Sequence, residues 1–145
     1  MTSDGPAHRS YEVLEHTADV GLRVYGSSLP ELFANAAMGL VALAVEPENI
    51  QELSVLPLSA TGSDAEQLLV NWLSEILYRM DAEGWIFRSF SVGDCSSTAI
   101  NGKGRGEHRE VSARTRSVAV KAVTYHQLSV RETAKGWEAT VYFDI

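Results

Sequence analysis

The stretch from residue 63 to residue 84 constrains the fold more than any other. Leu68, Leu69, Trp72, Leu73, Ile76, Leu77 and Met80 recur at offsets of one, three and four, which places all seven on one face of an α-helix. Ser63-Asp-Ala-Glu66 reads as the capping box that starts this helix, and Gly84 as the left-handed residue that ends it. A stripe so apolar must be covered by other elements. A second helix is expected from Ser28 to about Val45. Ser28-Leu-Pro-Glu31 is its capping-box start, Leu32, Phe33, Ala36, Ala37, Leu40 and Leu43 are its inner positions, and Glu46-Pro47 is its end.

The rest of the chain reads mainly as strand. Short strands are expected at 11–15 and 20–26, with a loop through His16–Asp19, then at 50–60, 85–92, 95–101, 109–116, 118–131 and 137–144. Asn101-Gly102 and Lys135-Gly136 are turn signals, and Asn101 to Glu110 reads as the most loop-like stretch. No repeat of 20–50 residues is visible. Two helices among six or seven strands cannot supply the crossovers of an all-parallel sheet. The expected class is α+β: two amphipathic helices packed on mostly antiparallel or mixed β-sheet in one compact domain over 11–145, after a disordered tail at 1–10.

Composition closes several functional routes. The 145 residues contain a single cysteine, Cys95, which excludes an internal disulfide framework and any multi-cysteine metal site. The start of the chain lacks a signal peptide's apolar core, and no apolar run approaches a membrane span, so a reducing cytoplasm and no membrane partner are expected. Net charge is −7 and unevenly spread. Residues 1–87 carry three bases and thirteen acids, whereas residues 88–145 carry nine bases and six acids. Strong autonomous nucleic-acid binding is not expected of such a chain, because phosphates need Lys and Arg. An acidic face that meets a basic partner is the sharper reading, and uneven loop composition the plainer one.

Two places hold candidate chemistry. His16-Thr-Ala-Asp19 is a polar quartet between apolar strands; an Asx-type turn explains it as well as a site does. At the other end, Asp144 and the Ile145 carboxylate stand side by side, either in solvent or around a cation that offsets their repulsion. With Asp19 they would make a set of oxygen donors suited to Ca²⁺ or Mg²⁺ rather than zinc. Lys121 is a lone charge in a strand-forming run, facing either solvent or a carboxylate cluster. His8, His16, His108 and His126 lack metal-ligand spacing, and Cys95 reads as an incidental or buried thiol. The glycine-rich, basic Gly102-Lys-Gly-Arg-Gly106 lacks the strand–glycine–helix context of a phosphate cradle.

Taken together, Tyr11 to Gly21, Leu68 to Glu75, Lys121-Ala-Val-Thr-Tyr-His126 and Gly136 to Ile145 resemble the archease family, in family order and across 11–145. The resemblance implies a cytoplasmic, non-catalytic protein cofactor of the RtcB-type tRNA-splicing ligase. Such a cofactor promotes guanylylation and multiple turnover of the ligase in tRNA splicing and RNA repair. It also implies a divalent-metal site, calcium first with magnesium or manganese next, at Asp19, Asp144 and Ile145. Asp19, Asp144 and Lys121 would carry activation. Asn71 departs from the family, which usually has an acid there. The rival readings are a stand-alone metal-dependent hydrolase and a chaperone-like protein-binding module.

Overall fold

The computed structural model describes residues 10–15, 19–44, 50–108 and 120–145. Among these residues seven strands and two helices follow one another as β1 (Tyr11–Glu15), β2 (Asp19–Gly26), α1 (Leu29–Ala44), β3 (Ser54–Thr61), α2 (Ala65–Glu83), β4 (Trp85–Cys95), β5 (Ala99–His108), β6 (Ala122–Thr133) and β7 (Gly136–Asp144). They form two sheets, a four-stranded one in the order β1-β2-β7-β6 and a three-stranded one in the order β3-β5-β4. Every pairing is antiparallel. Helix α1 packs on β2 and β4, and α2 on β3 and β6, so each helix touches both sheets. The α+β reading therefore holds, with the helices as a middle layer.

Both helices bury the expected faces. All seven stripe residues of α2 are buried, as are the six inner positions expected of α1, with Val41 and Ala44 added. The start of α2 is displaced by one residue from the expected capping box. Asp64 is the cap: its carboxylate accepts the Gln67 N–H at 2.8 Å, and the Gln67 side chain returns to the Ser63 N–H at 2.7 Å. Glu66 is thereby free to reach out of the helix and accept the Val130 N–H at 3.3 Å, which ties α2 to β6. In α1, Glu31 similarly reaches back to Ser27, and these bonds hold its carboxyl below the usual range. Gly84 closes α2 in the left-handed conformation, φ 81°.

Three sequence expectations need correction. First, Asn101 to His108 is neither loop nor turn but most of β5, the central strand of its sheet. Its glycines are the inward positions. A Cβ on Gly104 would lie 2.5 Å from the Phe87 ring, and one on Gly102 would lie 2.7 Å from the Ser91 carbonyl and 3.2 Å from Trp72. Glycine here makes room for aromatic rings above the sheet, a use of the residue that resembles a turn in sequence. Second, β3 begins at Ser54 and β6 at Ala122, later than expected. The tail, the loop at 16–18, the end of α1 at Glu46-Pro47 and the strand at 109–116 lie outside the described residues, except that the Ser10 carbonyl accepts the Tyr25 N–H at 3.1 Å.

Third, the chain does contain a repeat, 36 residues long. Gly26 ends β2 and Gly62 directly follows β3; a Cβ on either would lie 2.5–2.6 Å from the backbone nitrogen of Leu32 or Leu68. Asn35 and Asn71 then reach back from the helix, and each donates to the carbonyl just before its glycine, Tyr25 or Thr61, at 2.7 Å. Seven of the nine buried positions of α1 recur in α2 at the same offset. The topology repeats as well: β2-β7-β6 and β3-β5-β4 each pair a first strand with the second strand of a later hairpin. The β3-α2-β4-β5 unit is inserted between α1 and the β6–β7 hairpin of the other unit. Few residue identities are shared, so the repeat is visible only as geometry. The amide at Asn71 is the donor of this clamp, a bond that a carboxylate could not donate.

Gly26→Ala and Gly62→Ala should each destabilise by about 1–3 kcal/mol, because backbone must move to admit the methyl. Gly93→Ala, whose Cβ would meet nothing closer than 3.8 Å, should be near neutral. Urea unfolding of the three variants checks this, and equal stabilities would refute it.

Candidate functional site

The outward face of the four-stranded sheet is ordered in rows across the strands. The helices cover Val20, Leu22 and Val24 on β2 and Ala139, Val141 and Phe143 on β7. By strand alternation the residues between them point away from the helices. Asp19 is the register partner of Asp144, Gly21 of Tyr142, Arg23 of Thr140 and Tyr25 of Glu138.

The first row is the candidate site. Asp19 and Asp144 are directly opposite, which puts their Cβ atoms about 4.5–5.5 Å apart. Ala122 is the partner of Asp144 on the other side, and the Lys121 N–H donates to the Asp144 carbonyl at 2.8 Å. Ile145 follows directly, 43% exposed. Three distant sequence motifs therefore meet at one sheet end. The adjacency of Lys121 is through its backbone, and its side chain is exposed. Two acids directly opposite one another repel, and nothing in the sheet ladder requires carboxylates at these two positions. Among the described residues no three His, Cys, Asp or Glu side chains gather into a metal cluster. The two aspartates and the adjacent main-chain oxygens of Ile145 are hard oxygen donors, the chemistry that Ca²⁺ or Mg²⁺ takes.

The second row was not legible as a site. Tyr142 is 5% exposed although it points away from the helices. Its ring lies over Gly21, where a Cβ would come within 2.7 Å of it. The His126 ring meets it edge-on, with centroids 5.5 Å apart. Thr124 Oγ1 donates to the Tyr142 carbonyl at 3.1 Å and accepts the His126 N–H at 3.2 Å. The glycine in an otherwise alternating strand was the available signal, since such a glycine marks a close approach. The third row is ionic: Arg23 reaches Glu12 at 3.8 Å and Glu138 at 4.0 Å, and Arg131 reaches Glu138 at 3.6 Å. Tyr25 donates to Glu12, and burial first, then the Glu12 charge, raises its phenol above the usual value.

The other candidates lie elsewhere. His108 packs on Trp85 at 5.3 Å, far along the other sheet. His8 and His16 are outside the described residues. Cys95 ends β4, and burial pushes its thiol up, away from thiolate character. Lys103 and Arg105 point outward from β5, in a strand rather than a phosphate-binding loop.

A model of the archease protein family matches residues 11–145. The chain belongs to the archease family. A protein archease of Methanosarcina barkeri is 34% identical over the full length of both chains. One of Saccharolobus islandicus is 40% identical over 94% of this chain and 99% of its own. The solution structure of protein 1598 of Methanobacterium thermoautotrophicum superposes with a TM-score of 0.81 at 27% identity, covering 94% of this chain and 99% of that one. The archease fold thus includes both sheets and both helices described above. Among the described residues no helix is long and apolar enough to cross a membrane.

Cross-strand like charges cost about 0.2–1 kcal/mol. In the presence of a chelator, Asp144→Asn should therefore unfold at a higher temperature than wild type. Raising the salt concentration should narrow that gap by screening the repulsion. A chelated variant less stable than wild type would contradict the carboxylate pairing.

Proposed function

We propose that this archease-family chain is a non-catalytic protein cofactor of an RtcB-type RNA ligase. It would promote guanylylation and repeated turnover of that ligase in tRNA splicing and RNA repair. Family membership supports a cofactor role in RNA processing. The observation that carries the finer reading is the meeting of Asp19, Asp144 and Lys121 at one end of the four-stranded sheet.

On this reading Asp19, Asp144 and the main-chain oxygens of Ile145 would hold a divalent ion, calcium first and magnesium or manganese next. When bound, such an ion neutralises negative charge, which phosphate chemistry develops in abundance. The chain's own residues have separable parts. The antiparallel register holds the two carboxylates at one spacing. The Lys121 main chain fixes the end of β7, and its exposed ammonium is available to a phosphate or to an acidic group of the ligase. The excess of acids in residues 1–87 supports docking against the basic surface that an RNA-binding enzyme must carry, with a faster encounter at low salt. The same excess implies weak RNA binding by the isolated protein. A stand-alone hydrolase and a chaperone-like module remain the rival readings that the assay below separates.

The test is ligase turnover with GTP and RNA bearing a 2′,3′-cyclic phosphate, alongside calorimetric metal binding. Wild type should raise the number of turnovers and should neither join RNA nor hydrolyse GTP alone. Asp19→Asn and Asp144→Asn should each weaken metal binding about 10–100-fold and lose activation in parallel. Lys121→Ala should lose activation while keeping metal affinity. Wild-type activation by both Asn variants would show that the carboxylate pair is not the working part.

A further inference from the structure

The β6–β7 ladder is interrupted beside the site. Thr124 pairs with Tyr142, and the next pair is Ser129 with Thr140. Four residues, Tyr125, His126, Gln127 and Leu128, therefore stand opposite Val141 alone. Gln127 has φ 50°, and among the described residues it is the one non-glycine with a positive φ. A non-glycine held there is an uncommon conformation, of the kind that clusters at working sites. Tyr125 is 59% exposed at the start of the bulge, while Leu128 returns to the core.

The bulge is not loosely attached. Thr124 Oγ1 bonds it to β7, and the His126 ring rests on Tyr142, which in turn covers Gly21. Gly21 and Tyr142 are the cross-strand pair next to Asp19 and Asp144 on the same face. Displacing the bulge would thus disturb the row that adjoins the carboxylates. Among the described residues β6 is an edge strand, and an edge can be protected from strand pairing by a bulge. Edge protection does not call for an exposed aromatic ring beside a backbone N–H, that of His126, pinned to Thr124 Oγ1. Such a ring loses little freedom on binding, which is why tyrosine dominates interface anchors.

We propose that the Tyr125–Leu128 bulge is the element that seats this protein on its ligase, with Tyr125 as the aromatic anchor. The proposal rests on the function proposed above. The occupant is a protein surface rather than RNA, because the chain carries a net charge of −7 and phosphates need Lys and Arg. The exposed Ile145 at the same sheet end also suits an apolar pocket rather than a base. RNA-binding sheets usually offer two or three free stacking aromatics, whereas the His126 ring of this bulge is engaged edge-on with Tyr142, which leaves Tyr125.

The experiment measures binding of the full chain to an RtcB-type ligase by calorimetry, for wild type, Tyr125→Ser and Tyr125→Phe. Tyr125→Ser should weaken binding about 30-fold, the loss of an interface hot spot. Its melting temperature and Ca²⁺ affinity should match wild type, and activation should return at saturating concentration. Tyr125→Phe should bind nearly as wild type. Equal binding by wild type and Tyr125→Ser would overturn the proposal while leaving the proposed function standing. Unchanged ligase binding with reduced binding of cyclic-phosphate RNA would overturn it in favour of an RNA platform. No interaction between wild type and the ligase would instead remove the function on which the proposal rests.

Discussion

Trp72 is the side chain on which the layers depend. It is fully buried in α2, its indole N–H donates to the Phe33 carbonyl of α1 at 3.0 Å, and its ring lies over Gly102 of β5. One residue thus joins both helices and the inserted sheet. A buried indole needs both a partner for its N–H and space for its ring. The α1 backbone supplies the first, and a glycine in the central strand supplies the second. The glycines of β5 are therefore part of the same packing decision as the tryptophan, although the two segments look unrelated in sequence.

Legibility followed the kind of signal each element carried. The helices were readable because their buried positions recur with the helical period, and that period belongs to one segment. β5 was misread because its inward residues are glycines, which carry no hydrophobic pattern when large rings from neighbouring elements fill the space above them. The site was readable in pieces. Asp19 and Asp144 stood out as polar residues at strand ends and Lys121 as a lone charge in a strand-forming run, but only the register of β2, β7 and β6 says that they adjoin. Tyr142 was passed over because its apolar neighbours Val141 and Phe143 made it look like one more core position. The extra residues of β6 leave no mark in composition at all, since a bulge is a property of two strands.

The two units also divide the work. The β3-α2-β4-β5 unit has the same topology as the other but carries no acidic pair at the equivalent place, where Val55 faces Arg105. It packs against α1, while the β2, α1, β6 and β7 arrangement around it holds the carboxylates. Asn35 and Asn71 make the same bond in both units, so the clamp belongs to the scaffold and not to the site.

The insertion has a consequence for the order of assembly. The β3-α2-β4-β5 unit is contiguous in sequence and can close on local contacts, whereas β2 must wait for β7 to return from the far end of the chain. Contacts of such long sequence separation form late and slowly. During synthesis the scaffold can collapse around Trp72 while Asp19 still lacks its neighbour. The two acids then come together only as the last strand is laid down, so their repulsion cannot oppose the early steps of folding. Any metal affinity arising from that pair would appear at the same moment as the finished sheet, making it a property of the completed molecule alone.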